Sequence, residues 1–122
     1  MSARQVLDHV WLVGGADVDV RTDLHDCHVY LLHDGARGLL IDAGTGLGHG
    51  RLLTNIGEVC DLGTLEGVLV THYHADHAGG ASAFSRAGVP VLASATTASA
   101  LLVGDEDRTT LAPARAVGVY PS

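Results

Sequence analysis

Residues 67–80 read GVLVTHYHADHAGG: a short apolar run, then three histidines and an aspartate within six positions, then paired glycines. A fold for this chain has to end a buried strand near Thr71 and keep His72, His74, Asp76 and His77 together at its tip. Burying polar side chains without partners is costly, so the set needs a common purpose. His72 and His74 are two apart, and an extended strand end sends both to one side. Asp76 and His77 then follow in a turn, within reach of a second ion. Zinc accepts imidazole nitrogen and carboxylate oxygen at about 2.0–2.2 Å. One residue at a time, a strand-end histidine is structural or solvated, and Asp76 caps the next helix. Those accounts do not explain the four together, and metal binding is the expectation.

The rest of the chain frames this cluster. A short strand spans 8–13 and a polar loop 16–26. Residues 27–33 and 37–42 are β-prone and flank Asp34-Gly35, a strong hairpin signal. Leu52, Leu53, Ile56 and Val59 recur at helical intervals within 47–59, against which Gly50 and Gly57 weigh. Residues 61–64 connect to a buried strand at 67–71. A short helix closed by Gly88 follows the glycine pair. Residues 89–93 form a strand that Pro90 places at an edge or a strand start. Residues 96–103 and 109–116 read as helical, with Pro113 against the second. A hairpin followed by strand–helix alternation predicts an α/β class, with a mixed sheet and helices on one face.

With 122 residues, the prior is one domain, here 1–122. Hydrophobic content of 47% and charged content of 17% argue against disorder. The formal charge is −7, every basic residue is Arg, and no basic run exists. Nucleic-acid and anionic-membrane partners are therefore not expected. Cys27 and Cys60 are far apart and show no CxxC spacing, so neither a disulfide framework nor a nucleophile with an evident partner is expected. No leader-like or membrane-length apolar stretch is present, which makes the cytoplasm the default compartment.

Thr71-His72-Tyr73-His74-Ala75-Asp76-His77 resembles the THxHxDH signature of the metallo-β-lactamase fold superfamily, which includes glyoxalase II-like thioesterases, lactonases and lactamases. Leu39-Leu40-Ile41-Asp42-Ala43-Gly44 resembles the family's strand-end Asp–x–Gly segment, about thirty residues upstream, and the hairpin around His28–Leu32 and Leu39–Asp42 resembles its opening. The resemblance implies the N-terminal αβ half of an αββα sandwich. It implies His72 and His74 on a first zinc, and Asp76 and His77 on a second, with iron or manganese as alternatives. Asp76 would also orient the catalytic hydroxide, and Asp42 would steady the cluster from behind. Asp42 has a second reading, as a helix or turn cap ahead of Gly44 and Gly46. The implied reaction is hydrolysis of an ester, thioester, lactone or amide of a small molecule by a metal-bound hydroxide. His77, where one class of lactamases has a basic residue, favours the glyoxalase-like and hydrolase branches.

The chain departs from that family after His77, because no further histidine follows. The expectation is an incomplete domain with two ligands per ion, in which a homodimer or a separate chain covers an exposed apolar sheet face. A metal-binding half-domain or interaction module is the rival to a complete hydrolase, and a redox role on iron is a third reading. Asp26, Cys27 and His28 form a ligand-rich patch with His25, but His28 and His33 alternate to opposite faces of their strand. His9, His25, His28, His33 and His49 are expected to be solvated. Trp11 and Tyr30 are expected in the core and Cys60 as a small buried hydrophobe. Tyr73 is the candidate to line a pocket.

Overall fold

The computed structural model describes residues 2–120. Six strands form one sheet in the order β1-β2-β3-β4-β5-β6. β1 (Arg4–Leu7), β2 (Val10–Gly14), β3 (Val29–His33) and β4 (Gly38–Ile41) form an antiparallel meander, and β5 (Leu65–Leu69) and β6 (Val91–Leu92) extend it beyond β4 as parallel strands. The expected α/β class with a mixed sheet is what forms.

β1 is a strand that periodicity did not reveal. All four of its residues are exposed, so no buried face imprints an alternation on RQVL. It is held by register with β2 and by Arg4, which bonds Asp19 at 2.8 Å and Asp17 at 3.2 Å. His9 turns the hairpin with a left-handed φ of 62°, between the two strands rather than at the start of one. The β3–β4 hairpin forms as read. Asp34 Oδ1 accepts the Ala36 and Arg37 N–H groups at 2.9 and 2.8 Å, and Gly35 takes φ 96°.

The crossover from β4 to β5 is α1 (His49–Gly57), whose Leu52 and Ile56 pack on Val13, Val29, Leu31, Leu40 and Val68. The buried Asn55 locks this helix down by donating to the Val13 and Val20 carbonyls at 2.9 and 3.1 Å. After β5 come α2 (Ala75–Ala78), α3 (Ala81–Arg86), β6, α4 (Ala95–Val103) and α5 (Leu111–Ala116). Phe84 carries α3 into the same core. β6 is an edge strand entered from Pro90, whose missing N–H no neighbour needs. Pro113 does not break α5, because it occupies the first turn, where an N–H has no intrahelical partner.

The core lies on the helix side of the sheet. The opposite side carries the cross-strand row Leu12, Tyr30, Ile41, Leu69 and Leu92, with Leu32 and Leu39 beside it. Leu12 at the β2 end of the row is buried, but Leu32, Leu69 and Leu92 are 39%, 37% and 48% exposed, so from β3 to β6 this apolar face is open to solvent. Tyr30 is accordingly half-buried and lies outside the helix-side core, whereas Trp11 and Cys60 pack against that core. No helix among the described residues is long and apolar enough to cross a membrane.

Candidate metal centre

β5 ends at Leu69, two residues earlier than expected. Residues 72 and 73 form a bend, and His74 is the extended N-cap of α2. The histidines therefore meet through a bend and a helix start, not through strand alternation. The His72 ring lies 4.8 Å from that of His74 and 4.0 Å from that of His77, centroid to centroid. Asp76 and His77 occupy the first turn of α2, and Asp76 Oδ2 is 3.5 Å from His77 Nε2. The four side chains singled out in the sequence are thus neighbours.

Asp42 organises them. It follows β4 with φ 65°, a left-handed conformation that aspartate tolerates better than most residues, and it is 4% exposed. The cap reading fails, because its carboxylate reaches instead across to the neighbouring strand end and α2. Oδ1 accepts the Thr71 N–H at 2.8 Å, Oδ2 accepts the Thr71 hydroxyl at 2.9 Å, and Oδ2 also meets His77 Nδ1 at 2.9 Å. An ionised carboxylate only accepts, so His77 carries its proton on Nδ1 and leaves Nε2 as a lone pair. Thr71 has spent its hydroxyl proton on Asp42. Its oxygen then accepts from His72 Nδ1 at 3.0 Å, which leaves the Nε2 of His72 unprotonated as well. One buried carboxylate thus sets the tautomer of two imidazoles, an arrangement commonly found behind metal-ligating histidines. Burial, and then the neighbouring His77 and His74, hold the His72 imidazole below its ordinary pKa, which favours the neutral form a cation needs.

The paired glycines have a steric reason. A Cβ on Gly79 would stand 2.3 Å from the Thr45 carbonyl oxygen, and one on Gly80 2.3 Å from that of Ala43. The loop after Asp42 therefore lies directly on the turn after α2. Gly80 N–H donates to Gly44 O at 3.0 Å, and Ala43 N–H to His77 O at 2.9 Å. Asp26 clamps the same loop and was not foreseen in that role. This buried carboxylate accepts from Thr45 N at 2.8 Å, Thr45 Oγ1 at 2.6 Å and Thr22 Oγ1 at 2.5 Å. Its only local signal was membership of the 25–28 patch.

Cys27, which the sequence placed in a ligand-rich patch but gave no partner as a nucleophile, has neighbours from distant segments: its sulfur, an Asp42 oxygen and a His77 nitrogen all lie within 4.8 Å of one another. Among the described residues these are the metal-capable side chains drawn together to that spacing, whereas the four residues of the motif are gathered more loosely. Burial, and then the Asp42 charge, push the Cys27 thiol up to about 12.

The remaining histidines divide. His9, His25 and His28 are exposed as expected. His33 is buried, against expectation, with Nε2 2.9 Å from Thr64 Oγ1 and Nδ1 accepting the Gly35 N–H at 3.0 Å. His49 is half-buried edge-on to Phe84, with ring centroids 4.9 Å apart. Tyr73 lies between the His74 ring, at 5.6 Å, and the Arg108 guanidinium, at 5.0 Å. It lines a cleft of about 350 Å³ with Thr45, Leu101, Thr109 and Tyr120.

The donor chemistry fits zinc: imidazole nitrogens with free lone pairs beside a carboxylate, with His72, Asp76 and His77 half-buried and His74 exposed. Comparisons with known proteins agree with this architecture. A family model described as the metallo-beta-lactamase superfamily matches residues 22–119. Among solved structures, the chain is similar to MEM-A1, a subclass B3 metallo-beta-lactamase isolated from a soil metagenome library. The TM-score is 0.69 at 25% identity, over 83% of this chain and 36% of that one. It is similar to the metallo-beta-lactamase SMB-1, determined with bound 2-mercaptoethanesulfonate, at TM-score 0.69 and 27% identity over 83% and 36% of the two chains. A B3 metallo-beta-lactamase with an active-site glutamic acid gives 0.67 and 28% identity over 81% and 35%. The chain thus spans about a third of the length of these structures. A search of curated proteins finds no match.

Proposed function

Because the chain belongs to the metallo-beta-lactamase superfamily, we propose that His72, His74, Asp76 and His77 are the zinc-binding part of a hydrolytic centre for small-molecule esters, thioesters, lactones or amides. The observation that carries this reading is the double use of Asp42. It fixes His77 directly and His72 through Thr71, and it frees the Nε2 of both. When bound, zinc would supply Lewis acidity and a water that ionises near neutral pH. The protein's own part is positional. Asp42 holds the His77 proton at Nδ1, Thr71 passes the same constraint to His72, and the Asp76 carboxylate beside His77 Nε2 orients the attacking water. No separate serine or cysteine nucleophile is required. The similar structures named above are called lactamases rather than glyoxalases, so a β-lactam amide is the first substrate to try and a thioester the second.

The test is metal content per chain by elemental analysis after dialysis against zinc, on protein of known oligomeric state. About two zinc ions per chain are expected for a completed site. The His72→Ala/His74→Ala double variant should lose the first ion, and unchanged zinc content in it would refute the reading.

A second reading rests on the apolar sheet face that exposes Leu32, Leu69 and Leu92. The chain would then bind metal as a module that is not catalytic alone, with a second copy or a separate chain seated on that face. Robust turnover of a β-lactam or thioester by the purified monomer would eliminate it.

A further inference from the structure

We propose that Cys27, Asp42 and His77 form a cation site of their own, selective for a thiophilic divalent ion such as Cd²⁺, and that filling it withdraws His77 from the motif site. The sulfur, oxygen and nitrogen donors come from three separate segments and already lie within 4.8 Å of one another. Backbone bonds hold those segments in place. Cys27 N–H donates to Asp76 O at 3.3 Å, Asp42 N–H to Leu69 O at 2.8 Å, and Ala43 N–H to His77 O at 2.9 Å. Asp42 is buried and the other two are half-buried, so the pocket is sheltered but open to an ion. A thiolate and a carboxylate bring two negative charges, which a divalent cation neutralises. The sulfur selects soft ions over magnesium or calcium, which prefer oxygen alone.

The exchange balances as follows. The ion takes Cys27 Sγ, whose proton leaves to water, together with an Asp42 oxygen and His77 Nδ1. The proton displaced from Nδ1 is replaced by one on Nε2, so the imidazole stays neutral and its tautomer inverts. His77 then presents an N–H, not a lone pair, to the motif site, and the two modes exclude each other. That consequence rests on the hydrolase reading above, whereas the binding itself does not.

The experiment is titration of the metal-free full chain with Cd²⁺ alone, followed by the ultraviolet charge-transfer band of cadmium thiolate. A band saturating at about one equivalent is expected, since one ion fills the trio. It should persist in Cys60→Ser and in His72→Ala/His74→Ala. It should vanish in Cys27→Ser, a near-isosteric change whose fold is checked by circular dichroism. His77→Gln should weaken cadmium at least about tenfold, as loss of one of three ligands implies. No band in the parent chain, a band retained in Cys27→Ser, or unchanged affinity in His77→Gln would overturn the proposal. A cadmium band in a chain that takes up no zinc would sink the hydrolase reading and leave this site standing.

Discussion

Asp42 is one carboxylate with three hydrogen-bond donors on it: one is the His77 imidazole, and another, the Thr71 hydroxyl, passes the constraint on to the His72 imidazole. Replacing it with Asn keeps the shape but puts an amide where only acceptors serve. Asp42→Asn should therefore lower zinc affinity by about 10–100-fold, the range for loss of a partner behind a ligating histidine. Competition against a chromogenic chelator measures this, and unchanged affinity would show that the relay is idle. The Asp–x–Gly segment pointed to Asp42 from the sequence, but which groups the carboxylate faced was not legible. Thr71 lies 29 residues away and His77 35 residues away, and nothing local records such pairings. The burial of His33 and the roles of Asp26 and Cys27 were not legible for the same reason. Residue type suggests exposure for a histidine or aspartate, and only the neighbours supplied by distant segments overrule it.

At the scale of elements, the glycines of α1 and of the motif differ in consequence. A Cβ on Gly79 would meet the Thr45 carbonyl at 2.3 Å, whereas one on Gly50 in α1 meets nothing within 4 Å. Gly79→Ala should destabilise the chain by about 1–3 kcal/mol, as overpacking does. Gly50→Ala should stabilise it by about 0.5–1 kcal/mol through helix propensity. Urea unfolding of the two variants is the check, and equal effects would show that the loop after Asp42 does not rest on Gly79. α1 also carries a pH dependence. Burial first, and Arg86 second, lower the His49 pKa below its ordinary 6.5. The unfolded chain then binds more protons just below that value, so stability falls as pH drops through about 6.5 and below. His49→Gln should flatten the decline between about pH 7.5 and 5.5, and an identical slope in both proteins would place its origin elsewhere. The hairpin, α1 and the order of the later elements were legible because each has a repeating apolar pattern or a turn signal. β1 was not, since a fully exposed strand carries no such pattern.

For the whole molecule, the outer sheet face is the surface with most apolar area to cover, because the row through Tyr30, Ile41, Leu69 and Leu92 lies outside the helix-side core. If a second copy covers it, sedimentation should show concentration-dependent dimers that Leu69→Glu/Leu92→Glu disperses without loss of helix content. A parent chain that is monomeric at all concentrations would exclude self-association there. The sequence by itself determined the class of fold, the order of nearly all its elements and the four motif residues, because these depend on spacings of a few residues along the chain. Tertiary structure alone decided that histidine rings meet through a bend, that Asp42 sets two tautomers, that Asp26 clamps the loop and that Cys27 joins Asp42 and His77. Those contacts bring together residues far apart in sequence, and only the packing of α1 and the strands onto one core closes the intervening loops.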